Sequence, residues 1–161
     1  MSFYVIQTIM GILGSIGFSI LFGVTDRKLL WISLGSGAGW VVYLVCVAGG
    51  YGMFVGLFAA SLFVAVVSEV LARILKTPVI LMLVPMLIPE IPGGDLYYTM
   101  YYLVQRQYVE FGNSSNQVLV EAGAIALGII LASYVAKFIR SFRLHMPGMF
   151  QRGKKEGIAG N

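Results

Sequence analysis

The chain has 161 residues, of which 58% are apolar and only 11% charged, with a formal net charge of +4, whereas about 25% of residues are charged in an average soluble domain. So few charges cannot cover a globular protein of this size with a polar shell, so a soluble cytoplasmic enzyme is all but excluded, as is a disordered chain, which needs low hydropathy and high net charge. The mean hydropathy of +0.87 and the placing of basic residues at the ends of apolar runs make lipid the solvent, and the net charge a matter of membrane topology, not of nucleic acid.

Residues 1–25 carry no charged side chain, and neither do residues 29–68. A spanning helix needs about 20 apolar residues, so the sequence divides into spans. The first is expected over 3–24. Nothing basic precedes it and it is too long for the apolar part of a signal peptide, so it is expected to stay in the mature protein. Asp26, Arg27 and Lys28 form the first loop, and the second span covers 29–48. Gly49-Gly50-Tyr51-Gly52 is a turn cluster. The third span, 53–75, ends at Lys76-Thr77-Pro78, and Pro78 suits the first turn of the next helix. The fourth segment, 79–104, is long enough to cross but is interrupted by Pro85, Pro89, Glu90, Pro92, Gly93, Gly94 and Asp95. A loop is expected over 105–116, a fifth span over 117–138 and a basic cytoplasmic tail over 142–161. The single cysteine, Cys46, lies in an apolar run, so no disulfide forms within the chain.

With five spans and the N-terminus outside, ten of the 11 basic residues fall inside and only Arg106 falls outside. A fourth segment that dipped in and returned would put the basic tail outside, so this segment is read as a crossing, but a broken one. Helices in lipid pack through small residues. Gly35 and Gly39 are spaced by four, as are Gly52, Gly56 and Ala60, and as are Ala124, Gly128, Ala132 and Ala136. The last run is the longest and predicts a close helix contact, within the chain or with a partner.

The interrupted stretch carries the chemistry. Prolines lack an N–H and disfavour helix in the residue before them, so a half-helix, an unwound strip and a second half-helix from Gly94 or Asp95 are expected. Lipid cannot satisfy the polar backbone of such a strip, which must face protein or a watery cavity; this is the sequence pointer to a transporter binding site. The second half-helix offers free N–H groups and a positive dipole end to a substrate carboxylate, although Asp95 as an N-cap would occupy one or two of them. The plainer alternative is a proline kink with a structural role. Glu90 and Asp95, ionisable near mid-membrane, are functional candidates. Either can carry a proton, and Glu90 can instead bond backbone N–H groups beside the prolines. Tyr97 and Thr99 offer hydroxyls to a cavity, while Tyr101 and Tyr102 suit an outer aromatic belt. Glu69 and Arg73, four apart, suit a structural ion pair. Glu121, one turn into the fifth span, is read as interfacial. His145 stands alone, so no metal site is expected, nor does any motif imply a cofactor or an enzyme.

The run Ile88-Pro89-Glu90-Ile91-Pro92-Gly93, followed by Tyr97 and Met100, resembles the threonine/serine exporter family, and more closely the small, membrane-only member of its split, two-component form. The pattern is Pro89, Pro92, Gly93, Tyr97 and Met100, supported by Gly17-Phe18, the charged turn at 26–28 and the length. The resemblance covers roughly residues 10–140. It implies a subunit of a secondary exporter that works with a larger homologous chain and draws on the proton motive force. Its implied substrates are threonine, serine or dicarboxylates such as succinate. Two positions depart from the pattern: that of Glu90 is usually apolar in the family and that of Asp95 usually small. Two extra acids beside an anion site suit a substrate bearing an amine.

The expectation is therefore an all-α membrane protein with about five transmembrane helices in the bacterial inner membrane, its C-terminus cytoplasmic. Pro89, Pro92, Gly93, Gly94, Asp95, Tyr97 and Thr99 would bind substrate, with Glu90 or Asp95 moving a proton. The rivals are a non-transporting scaffold subunit and a homo-oligomeric channel.

Overall fold

The computed structural model describes residues 2–25 and 27–145. Asp26 of the expected first loop and residues 146–161 of the expected tail lie outside the described residues. Every regular element among the described residues is helical: α1 (Ser2–Leu21), α2 (Arg27–Ala48), α3 (Gly52–Ile74), α4 (Val79–Leu87), a short 3-10 turn (Ile88–Glu90), α5 (Gly93–Val104) and α6 (Tyr108–His145). Four helices, α1, α2, α3 and α6, are long and apolar enough to cross a membrane. The bent pair of α4 and α5 makes a fifth when counted as one span. The protein is an all-α membrane protein.

The helices end sharply because four of them close with the same device. The N–H groups of Val24, Tyr51, Thr77 and Gln107 reach back to the carbonyls of Ser19, Cys46, Ala72 and Tyr102. The residue before each N–H is left-handed: Gly23, Gly50, Lys76 and Arg106. This is the Schellman closure, which satisfies carbonyls that a helix end leaves free.

α3 is the most enclosed of the four long helices, packed between α2, α4 and α6. Ile32 of α2, Val64 and Leu71 of α3, and Met82 and Met86 of α4 form the centre of the core. Small residues set how closely these helices approach. A Cβ on Gly35 would fall 2.8 Å from the Met86 sulfur. One on Gly128 would run into Ser61 and lie 2.8 Å from the Phe58 carbonyl oxygen. Ala124, Gly128 and Ala132 are buried on the face of α6 that meets α3, so the long small-residue run makes its close contact within the chain.

One expectation is overturned. Residues 105–116 are not a loop: α6 begins at Tyr108, and the connection is residues 105–107. Asn and Ser weaken helices by competing for backbone groups, but here Ser114 turns to α5 instead. Ser114 Oγ lies 2.6 Å from Thr99 Oγ1, and Gln117 donates to Glu121 within the helix.

The break in the fourth segment follows from its prolines. Pro89 has no N–H to give the Pro85 carbonyl one turn earlier. Two other donors serve that carbonyl. One is the N–H of Ile88; the other is the buried Ser15 hydroxyl of α1, at 2.7 Å. Removing the hydroxyl by Ser15→Ala should lower stability by about 1 kcal/mol, measured by denaturant unfolding in detergent micelles. No change would mean that α1 does not brace the break. Beyond it the axis turns by 62°, which bends the segment without reversing it.

Candidate functional site

The chain leaves helical geometry for two residues. Ile91 is extended (φ −68°, ψ 125°). Pro92 (φ −75°, ψ 61°) is the centre of an inverse γ-turn, closed by the Gly93 N–H donating to the Ile91 carbonyl at 2.7 Å. The first intrahelical bond of α5 is from the Leu96 N–H to the Pro92 carbonyl. The N–H groups of Gly94 and Asp95 thus have no intrahelical acceptor, and space around both glycines is open. Asp95 is not the N-cap. Pro92 holds that place with no side-chain cap bond, and Asp95 sits two residues into α5, where a negative charge complements the dipole.

Glu90 turns inward from the 3-10 turn and is 2% exposed, with no hydrogen-bond partner in the protein for either carboxyl oxygen. It therefore does not bond the backbone N–H groups beside the prolines. α2 makes room for it at Gly39, where a Cβ would lie 2.7 Å from Glu90 Oε1 and run into Val64. Gly39→Ala should displace the carboxyl and lower stability by about 1–3 kcal/mol, as overpacking does. Gly17→Ala, where a Cβ meets nothing within 4 Å, is the control in the same unfolding measurement.

Glu90 opens onto a cavity of about 120 Å³ at the break. α2 contributes Trp40 and Tyr43, whose rings lie 4.8 Å apart, and α3 contributes Met53 and Leu57. Pro89, Pro92 and Asp95 line it from the fourth segment. α6 adds Glu121, which sequence reasoning placed at the interface. It is 2% exposed, faces Asp95, and accepts a hydrogen bond from Gln117 through one oxygen only. Nothing in the linear pattern marks it, because the register of α6 against α5 decides where it points.

Three carboxyl groups thus surround one small chamber with no basic side chain in its lining. Among the described residues no three such groups are placed to share a metal ion. Among the described residues, the buried side-chain polar atoms without a protein partner are both Glu90 oxygens, Glu121 Oε2, Trp40 Nε1 and Ser36 Oγ. All but the last belong to residues lining the chamber, and Ser36 lies one turn before Trp40. Unpaired buried polar groups are costly, and four of these five atoms gather at the chamber.

The remaining residues lie elsewhere. Tyr97 is 66% exposed and stacks edge-on against Tyr98, away from the chamber. Thr99 is buried, but its hydroxyl is engaged by the Asp95 carbonyl and Ser114. Gly93 and Gly94 shape the break without lining the chamber. Glu69 and Arg73 form an ion pair of 2.7 Å on α3.

Among known proteins, the family model described as Threonine/Serine exporter, ThrE, matches residues 7–135. No curated protein and no solved structure matches the chain.

Proposed function

We propose that this chain, which belongs to the threonine/serine exporter family, moves small amino acids outward from the chamber at its broken fourth segment, in exchange for protons carried on Glu90. The observation that carries this is the buried, unpartnered Glu90 carboxyl opening onto a chamber that two more carboxyls share.

The charge of the lining favours an amino acid over a dicarboxylate. A molecule such as succinate would bring two negative charges against Glu90, Asp95 and Glu121 with no cation to meet them. An amino acid brings one ammonium group, which Asp95 and Glu121 can hold beside the faces of Trp40 and Tyr43. Its carboxylate has the free N–H groups of Gly94 and Asp95 at the positive end of α5. Pro92 fixes its own φ while Gly93 and Gly94 are free to change theirs, which suits a hinge for alternating access.

The rest of the assignment rests on charge and family. The bias of basic residues supports five crossings with the N-terminus outside and the C-terminus in the cytoplasm of a bacterial inner membrane. A larger related membrane chain completes the exporter.

The test is flux of labelled serine, threonine and succinate in proteoliposomes under an imposed pH gradient, with this chain alone and with a larger related chain. Serine and threonine should move only with both chains. The double variant Pro92→Ala, Gly93→Ala should lower that flux roughly tenfold or more, since restoring helix across the break closes off its N–H groups. Movement of succinate alone would overturn the amino-acid assignment. Movement by this chain alone would favour a homo-oligomeric carrier or channel, and no movement with either would favour a scaffold.

A further inference from the structure

A second cavity, of about 310 Å³, lies between α5 and the first turns of α6. It begins at Asp95, which also lines the chamber, and runs along α5 past Tyr98 to Tyr102. Those eight residues of helix span about 10 Å, from the break to the short α5–α6 connection. The opposite wall is Glu110, Asn113, Ser114 and Gln117 of α6. This wall is the stretch that reads as a loop in the sequence and is helix in the structure. Its lining consists of carboxyl, hydroxyl and amide groups, with no basic side chain.

The two cavities share a partition. Asp95 lines both. Gln117 lines the second and donates at 3.2 Å to Glu121, which lines the first. The other oxygen of Glu121, almost wholly buried, takes no hydrogen bond from a protein donor, and the Asp95 carboxyl lies beside the group. The Gln117 amide also reaches the Met53 sulfur of the chamber lining at 3.9 Å, so the two spaces are parted by the Gln117 side chain, held at Glu121 and Met53, and by the Asp95 carboxylate.

We propose that the α5–α6 cavity is the exit vestibule of the transport path, a second site for amine-bearing polar solutes, and that Asp95 with the Gln117–Glu121 pair is the gate between it and the chamber. A solute ammonium leaving the chamber passes from Glu121 to Asp95 and then to Glu110, and each transfer exchanges one carboxylate for the next. When the ammonium engages Glu121 it competes with the Gln117 amide, so arrival of the solute loosens the partition. The vestibule rests on the chamber being the transport site, and its test is therefore one that reads geometry rather than flux.

In a Cys46→Ser background, Asn113→Cys is labelled by membrane-impermeant cationic and anionic thiosulfonates applied from each face of sealed, oriented vesicles. The expected result is labelling from the face that carries Arg106. The cationic reagent should be favoured about fivefold or more over its preference for a free thiol, the Boltzmann factor for one nearby unit charge in a watery space. Glu110→Gln should reduce that preference. Leu57→Cys, inside the chamber, should react slowly from this face and about tenfold faster when Gln117→Ala is added, the factor of about 1.4 kcal/mol for one hydrogen bond. A native probe covers the case in which Leu57→Cys does not fold. With Trp31→Phe, Trp40 is the remaining tryptophan, and its quenching by acrylamide should rise on Gln117→Ala. Labelling of Asn113→Cys no faster than of Leu13→Cys on the exposed face of α1, or only from the opposite face, overturns the vestibule. Equal chamber access with and without Gln117 overturns the gate. This labelling pattern without serine or threonine flux would remove the assignment of those amino acids as substrates and leave the watery, gated path from the chamber standing. Flux without the pattern would do the reverse.

Discussion

Glu90→Gln is expected to abolish the response of serine and threonine efflux to a pH gradient, lowering net efflux roughly tenfold or more, the range for losing a charged partner in a buried site. Exchange of internal for external substrate, which moves no net proton, should continue. Glutamine keeps the length and shape that fit beneath Gly39 and against Val64, so the fold should hold and the change isolates the ionisable group. The two fluxes are compared in the same proteoliposomes. Loss of exchange together with efflux would make Glu90 a ligand of the substrate and leave Asp95 to carry the proton. Efflux that still followed the gradient in full would take Glu90 out of transport altogether.

A large effect on stability is expected at Gly128. A Cβ there would meet Ser61 and lie 2.8 Å from the Phe58 carbonyl oxygen and 2.9 Å from the Leu62 nitrogen. Two of these three are backbone of α3, which cannot swing aside as a side chain can. Gly128→Ala must therefore push the two helices apart and should cost about 1–3 kcal/mol, although alanine favours an isolated helix by nearly 1 kcal/mol. Gly123→Ala on the same helix, where a Cβ meets nothing within 4 Å, gains the same propensity without the clash. The difference in their unfolding midpoints in detergent isolates the contact. Equal midpoints would mean that α3 and α6 do not touch at Gly128.

The parts of this molecule that local chemistry dictates are legible in its sequence. Apolar runs of the right length mark the helices, and Pro89, Pro92 and Gly93 mark the break because each removes or loosens a specific backbone bond. The spacing of Ala124, Gly128 and Ala132 announces close approach, since only small residues permit it. What the sequence hides is register between helices. Glu121 looks interfacial by its place in the span, yet the packing of α6 on α3 and α5 turns it into the chamber. Tyr97 and Tyr98 are indistinguishable by type, and one residue of helical rotation sends Tyr97 outward and Tyr98 to the α5–α6 cavity. The stretch 105–116 misleads because its Gly, Asn and Ser residues are loop-formers in isolation, whereas the structure carries α6 through them and holds Ser114 against Thr99 of α5.

α6 runs unbroken for 38 residues, about 57 Å at 1.5 Å per residue, nearly twice the thickness of a bilayer core of roughly 30 Å. It is thus a rigid lever longer than the medium that holds it. One arm carries Ser114, Gln117 and Glu121 against α5, and the other carries the exposed Lys137. Pivoting at the tight Gly128 contact, a rock of about 10° displaces the ends of a rod this long by about 5 Å. A side chain moved by even part of that distance has left its hydrogen bond. A pull on the basic end would therefore be felt at the far side of the membrane, as a change in how tightly α6 holds α5.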